Sequence, residues 1–229
     1  MPPIIKTIST EAMKIAVNCY VVQSEVHGFA GESFFLIDTG MAMKQDQLVQ
    51  ELEHAGCRPG NLKLIILTHG DLDHSGNAAS LRQRFNVKIA MHRADLVNVE
   101  SGDMFANKDT NPIAKAIARL LFFVTGMGKF KTFTPDIFLE EGQKLTDFGW
   151  DATVLHLPGH SKGSIGILTP QGDLFCGDLL DNTRSPAVNA MGDNVEQMRV
   201  SAEKLKGFTI NTVYPGHGKP FLLAQIWKE

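Results

Sequence analysis

Within six residues, His69, Asp71, Asp73 and His74 offer two imidazoles and two carboxylates. These are the donors that suit zinc and other first-row divalent cations. They follow the apolar run Leu64, Ile65, Ile66 and Leu67, which reads as a strand buried on both faces and stops at Thr68. They precede a helix-compatible run from Asn77 to Phe85. A loop held at both ends lets alternating side chains converge on one point. A polar turn with a helix cap would account for a lone Asp-x-x-Ser, but it does not account for ligands at this density.

Three more ligand-type residues stand just past later apolar runs, each in a glycine-containing turn. His160 lies in Leu157-Pro158-Gly159-His160-Ser161, Asp178 in Cys176-Gly177-Asp178, and His217 in Tyr214-Pro215-Gly216-His217-Gly218. Glycine before the ligand lets the backbone turn sharply and brings the side chain towards a shared centre. Any one of these alone reads as a loop histidine or a turn aspartate. The repetition, together with the 69–74 cluster, points to a common metal site. A further carboxylate, Asp38, caps the run Phe34 to Ile37 just before Gly40.

The elements that must position these groups alternate between strand and helix. Strands are expected at Ile4 to Ile8, Val17 to Gln23 and Phe34 to Ile37, with Gly28 and Gly31 marking the loop between the last two. Leu48, Leu52 and Ala55 recur at helical spacing over Lys44 to Ala55, and Gly56 ends that helix. After the helix from Asn77 come a strand at Val87 to Met91 and a helix around Ala94 to Val99. Strands resume at Thr153 to Leu157, Ser164 to Leu168, Leu174 to Cys176 and Thr212 to Tyr214, with a helix from Asp193 or Asn194 through Lys206. The class is α/β. Ser101 to Thr134 breaks the alternation: Ile113 to Val124 is apolar and helix-compatible, flanked by Phe105, Phe130 and Phe133. Three uses are open for this insert: core packing, a lid over an active site, or a homodimer interface.

The chain has 229 residues, enough for one domain, 1–229, to bury a full core without staples. Net charge is -3 and no run of Lys or Arg could track a phosphate backbone, which argues against nucleic acid as a partner. Three cysteines with no paired spacing fit a reducing compartment better than a disulfide framework. With no secretory pattern at the first residues and no apolar stretch long enough to span a membrane, the expected location is cytoplasmic.

In the order and setting of these residues the chain resembles the metallo-β-lactamase fold superfamily, from about Ile4 to Gly218. The family's hallmark is an HxHxDH loop after a buried strand, followed by a His, an Asp and a His at later strand ends. The resemblance implies an αββα four-layer sandwich with the site at one edge of its two sheets. It implies that His69, Asp71 and His160 hold one metal, that Asp73, His74 and His217 hold a second, and that Asp178 bridges them. Asp38 is expected to orient a ligand from behind. One position departs from the pattern, since Asp71 stands where the second His of HxHxDH is expected. A carboxylate is harder than imidazole, so zinc is the expected metal with iron or manganese brought into contention by Asp71.

The resemblance also implies an activity. Two divalent ions sharing a water lower its pKa towards about 7, giving a bridging hydroxide that attacks an electrophilic carbonyl. Asp73 is the expected catalytic carboxylate, orienting the attacking oxygen, and Lys162 and Arg184 are candidate substrate contacts. Relatives on this scaffold hydrolyse thioesters, lactones, β-lactams and phosphodiesters, and fold does not choose among them. The apolar insert favours an ester, thioester or lactone as the small-molecule substrate. The chain ends twelve residues after His217, which argues against a glutathione thioesterase carrying the usual helical C-terminal domain. The competing readings are a di-iron redox protein related to flavodiiron proteins, which Asp71 alone supports, and a non-catalytic metal-binding module.

Overall fold

Two sheets face each other across a shared core in the computed structural model, which describes residues 3–12, 14–25, 32–106, 111–125 and 130–227. The turn expected at Gly28 and Gly31 lies outside the described residues. The first sheet contains β1 (Ile4–Ala12), β2 (Ile15–Glu25), β3 (Glu32–Ile37), β4 (Leu62–Ile66), β5 (Lys88–Met91) and β6 (Ile137–Phe138), in that spatial order. β1, β2 and β3 pair antiparallel, while β3 to β6 run parallel. Parallel neighbours need long crossovers, and helices supply them. They are α1 (Gln45–His54), the single turn α2 (Leu72–Ser75), α3 (Ala78–Phe85), α4 (Leu96–Ser101) and α5 (Pro112–Thr125).

The second half of the chain contributes β7 (Thr153–His156), β8 (Ile165–Leu168), β9 (Asp173–Gly177), a small ribbon of β10 (Leu180–Asp181) and β11 (Ala187–Val188), then α6 (Val195–Lys204), β12 (Thr212–Pro215) and β13 (Phe221–Leu222). Its main sheet has the order β13-β12-β9-β8-β7, with β9 and β12 parallel.

Strand periodicity of two sends alternate side chains to opposite faces, and this builds the layers. Tyr20, Val22, Phe35, Ile37, Leu64 and Ile66 of the first sheet meet Val154, Ile165, Ile167 and Phe175 of the second, with Trp150 stacked on Phe35 at 5.0 Å. Val21, Phe34, Leu36 and Ile65 point the other way, onto Leu48 and Leu52 of α1 and Leu81 and Phe85 of α3. On the far side, Met198 and Ala202 of α6 cover Leu155, Leu174 and Val213. The result is the expected αββα order.

This topology gathers the carboxyl ends of several strands along one edge, where ligands collect in open α/β sheets. β3 leads into Asp38, β4 into His69, β7 into His160, β9 into Asp178 and β12 into His217. The insert divides in two. Phe133 is buried in the outer core with Phe130 against it. Ile113, Ile117, Leu120 and Val124 of α5 are instead exposed, at 71%, 57%, 62% and 73%. Core packing therefore holds for Phe130 and Phe133 at the end of the insert and not for these four described side chains of its helix. No described helix is long and apolar enough to cross a membrane.

Candidate metal centre

Four imidazoles are turned the same way. Each uses Nδ1 to reach a fixed acceptor: Thr68 Oγ1 for His69 at 3.0 Å, Asp38 Oδ2 for His74 at 2.8 Å, Met191 O for His160 at 2.9 Å, and Ala16 O for His217 at 2.7 Å. With Nδ1–H donating, Nε2 is left as the lone-pair end. Such outward anchoring fixes the tautomer and ring orientation of metal-binding histidines. Thr68 takes part through a chain of polarity: its hydroxyl donates to Asp38 Oδ2 at 2.8 Å and so has a lone pair for His69.

The Nε2 atoms converge on three carboxylates. Asp71 Oδ2 lies 3.4 Å from His160 Nε2 and 4.0 Å from His69 Nε2. Asp73 Oδ2 lies 3.5 Å from His217 Nε2 and 3.8 Å from His74 Nε2. Asp178 stands between the two sets: Oδ2 is 3.7 Å from His160 Nε2 and 3.2 Å from His217 Nε2, and Oδ1 is 3.3 Å from His74 Nε2. Ligand atoms fall within 4.8 Å of one another in three overlapping groups: His69 with Asp71 and His160, His69 with His74 and Asp178, and Asp73 with His74 and His217. Gly216 makes the close approach feasible, because a Cβ there would collide with Asp178 Oδ1 and His74 Cε1.

The donor set fits divalent cations. His69 Nε2 is buried with no hydrogen-bond partner among the described residues, which is costly for a polar atom unless something else is bound by it. Electrostatics within the protein agree. Burial opposes the charged form of every group, yet Asp178 is held well below the usual carboxylate range by His74 and His217. Against the same burial, His160 is raised to about 9 by Asp71 and Asp178, and His217 to about 10 by Asp178 and Asp73. His69 goes the other way, to about 3, through burial and the neighbouring His74 and His160. The carboxylates that pull protons onto His160 and His217 concentrate negative charge that a cation could meet instead, and His69 stays neutral.

The sequence matches the Metallo-beta-lactamase superfamily model over residues 13–217. The chain belongs to the metallo-β-lactamase superfamily. Members of the metallo-β-lactamase superfamily bind divalent metal ions, typically two. The hydroxyacylglutathione hydrolase GloC of Haemophilus influenzae is 33% identical over 166 residues, which is 71% of this chain and 66% of GloC, just under two thirds of that protein. The B3 metallo-β-lactamase BLEG-1 superposes with a TM-score of 0.73 at 22% identity, over 97% of this chain and 95% of its own, a likeness of fold alone. TTHA1623, solved in a di-iron-bound form, superposes with a TM-score of 0.69 at 28% identity, over 95% of this chain and 96% of its own.

The structure thus brings His69, Asp71, Asp73, His74, His160, Asp178 and His217 together, with Asp38 directly behind His74. Lys162 and Arg184 are exposed on turns outside these groups. Sequence reasoning passed over Thr68, the carbonyls of Ala16 and Met191, and Asn18. Asn18 donates from Nδ2 to Pro215 O at 3.0 Å and Gly218 O at 2.7 Å, pinning the turn that carries His217. Backbone acceptors have no side-chain signature, so nothing in the sequence marked them.

Proposed function

We propose that this protein is a dinuclear metallohydrolase acting on a thioester or a related activated ester or lactone. The observation that carries the reading is Asp178, whose two oxygens face both sets of imidazoles, as expected of a carboxylate shared by two ions. In this reading His69, Asp71 and His160 hold one ion and Asp73, His74 and His217 the other. Divalent ions bound there would activate water at neutral pH and polarise the substrate carbonyl.

The chain's own residues then do the following. Asp73 is the most solvent-open of the three carboxylates, at 22% against 5% for Asp71 and 6% for Asp178, so it borders the entrance. His74 and His217 keep Asp73 ionised against the effect of burial. Its Oδ2 faces those two rings, and Oδ1 is the atom suited to accept a hydrogen bond from the attacking water and orient it. Lys162 and Arg184, being exposed, would meet only the outer part of a bound substrate.

Thioesters rank first because of the likeness to GloC, a named hydroxyacylglutathione hydrolase. That likeness outweighs the argument from the short stretch after His217. Zinc is the favoured metal, with iron a second choice supported by Asp71 and by the di-iron form of TTHA1623. The same two observations support a second reading, an iron redox centre. The test is a panel of hydroxyacylglutathione thioesters, aryl esters, lactones and β-lactams against zinc-, iron- and manganese-loaded protein. Thioester turnover that is lost in Asp178→Ala supports the hydrolase. Oxygen consumption by the iron form with an added reductant, and no hydrolysis, supports the redox reading.

A further inference from the structure

Asp95 is none of the candidate ligands, yet it ties together the two loops that carry three of them. It is fully buried, four residues beyond the end of β5. Its Oδ2 accepts the Gly70 N–H at 2.9 Å and the Ser161 hydroxyl at 2.6 Å, and its Oδ1 accepts the Gly163 N–H at 2.8 Å. Gly70 sits between His69 and Asp71, while Ser161 and Gly163 follow His160. The fit is close as well as polar. A Cβ on Gly163 would stand 2.6 Å from Asp95 Cγ, and one on Gly70 would stand 3.1 Å from Asp95 Cβ.

A carboxylate buried within electrostatic reach of Asp71 adds negative charge beside a ligand that already carries it, and three donors offset part of that cost. Such a group is explained by what it holds. Asp38 makes a comparable connection behind His74, bonding the Thr68 N–H at 2.8 Å and His74 Nδ1 at 2.8 Å, and it reaches His69 only through the Thr68 hydroxyl. Each group of ligands thus has a buried, non-ligand carboxylate behind it.

The geometry points to Asp95 as the positioning residue of one subsite: by clamping Gly70, Ser161 and Gly163 it sets the spacing of His69, Asp71 and His160, and it leaves Asp73, His74 and His217 unaffected. This rests on the dinuclear reading above. Loss of such supporting contacts typically costs about 10–100-fold in metal affinity.

The test is cobalt(II) titration of metal-free protein, followed by equilibrium dialysis and by the visible absorption of the bound ion. Asp95→Ala is compared with its parent in two backgrounds, His217→Ala, which retains the His69 subsite, and Asp71→Ala, which retains the His74 subsite. The expected result is a loss of about 10–100-fold in affinity and a changed cobalt spectrum in the His217→Ala background, with no change in the Asp71→Ala background. Asp95→Asn keeps one carbonyl acceptor and should give a smaller loss. Ser161→Ala removes one donor without touching the carboxylate, and it stands in if Asp95→Ala does not fold, with a several-fold loss expected in the same background only. Equal losses in both backgrounds, or none in either, would overturn the assignment. Wild-type protein that took up no cobalt would instead overturn the dinuclear reading, and the role of Asp95 with it.

Discussion

His74 Nδ1 lies 2.8 Å from Asp38 Oδ2, in a contact between two fully buried side chains, Asp38 just past the end of β3 and His74 in α2, the single turn that follows β4. Asp38 holds a left-handed backbone conformation, with φ at +57°. Few non-glycine residues adopt it, although Asp tolerates it better than most. The carboxylate is fixed further by the N–H and hydroxyl of Thr68, both at 2.8 Å.

Replacing Asp38 by Asn should therefore weaken metal binding without unfolding the protein. An amide turned to serve one donor presents its own NH2 to another. The expected outcome is a loss of about 10–100-fold in affinity for one of the two ions, read by competition with a chromophoric chelator. Unchanged affinity for both would contradict the role given to Asp38.

Much of this site was legible in the sequence, and the reason is geometric. A ligand that follows an apolar strand through a glycine turn leaves a short local signature, and His160, Asp178 and His217 all have it. Asp38 was legible as a carboxylate capping an apolar strand, and its place behind a ligand came from the family resemblance. Asp95 was not, because a 3-10 turn over Arg93–Asp95 separates it from β5 and hides the same strand-then-carboxylate pattern. α2, a single turn, is too short to show periodicity. α5 stayed ambiguous: apolar residues at helical spacing left core packing, a lid and a homodimer interface all open, because whether a face is covered depends on tertiary structure that local sequence does not encode.

Asp71 provides a second prediction. Asp71→His restores the HxHxDH pattern, removes one negative charge and puts imidazole in place of a hard oxygen donor, Asp71 Oδ2, that lies 3.4 Å from His160 Nε2. The ratio of iron or manganese to zinc taken up from an equimolar mixture should fall several-fold, measured by elemental analysis. A ratio that stays the same would show that Asp71 does not set metal preference.

Stability should depend on pH differently with and without metal. In the protein alone, His160 and His217 are raised to about 9 and about 10, above the roughly 6.5 expected for an unfolded histidine. Their contribution is then complete below about pH 6.5 and is lost as pH rises through 9 to 10. Chelated protein should show a Tm that falls between pH 7 and 10, whereas bound metal replaces those protons and should flatten the curve while raising Tm. A chelated protein whose Tm stays constant or rises over that range would contradict the assignment.

The cysteines should be silent. Cys19, Cys57 and Cys176 are buried and free, and burial raises the thiols of Cys57 and Cys176 to about 12 and that of Cys19 well above its ordinary value. Thiolate is the reactive form. Ellman's reagent at pH 8 should find no fast thiol in the folded protein and three after denaturation. Rapid labelling of a native thiol would contradict the packing around it.

The most direct measurement is anomalous scattering from crystals of the metal-loaded protein. Two peaks are predicted about 3.5–4 Å apart, one against His69, Asp71 and His160, the other against Asp73, His74 and His217, with Asp178 touching both. A single peak, or metal bound away from Asp178, would contradict a dinuclear centre.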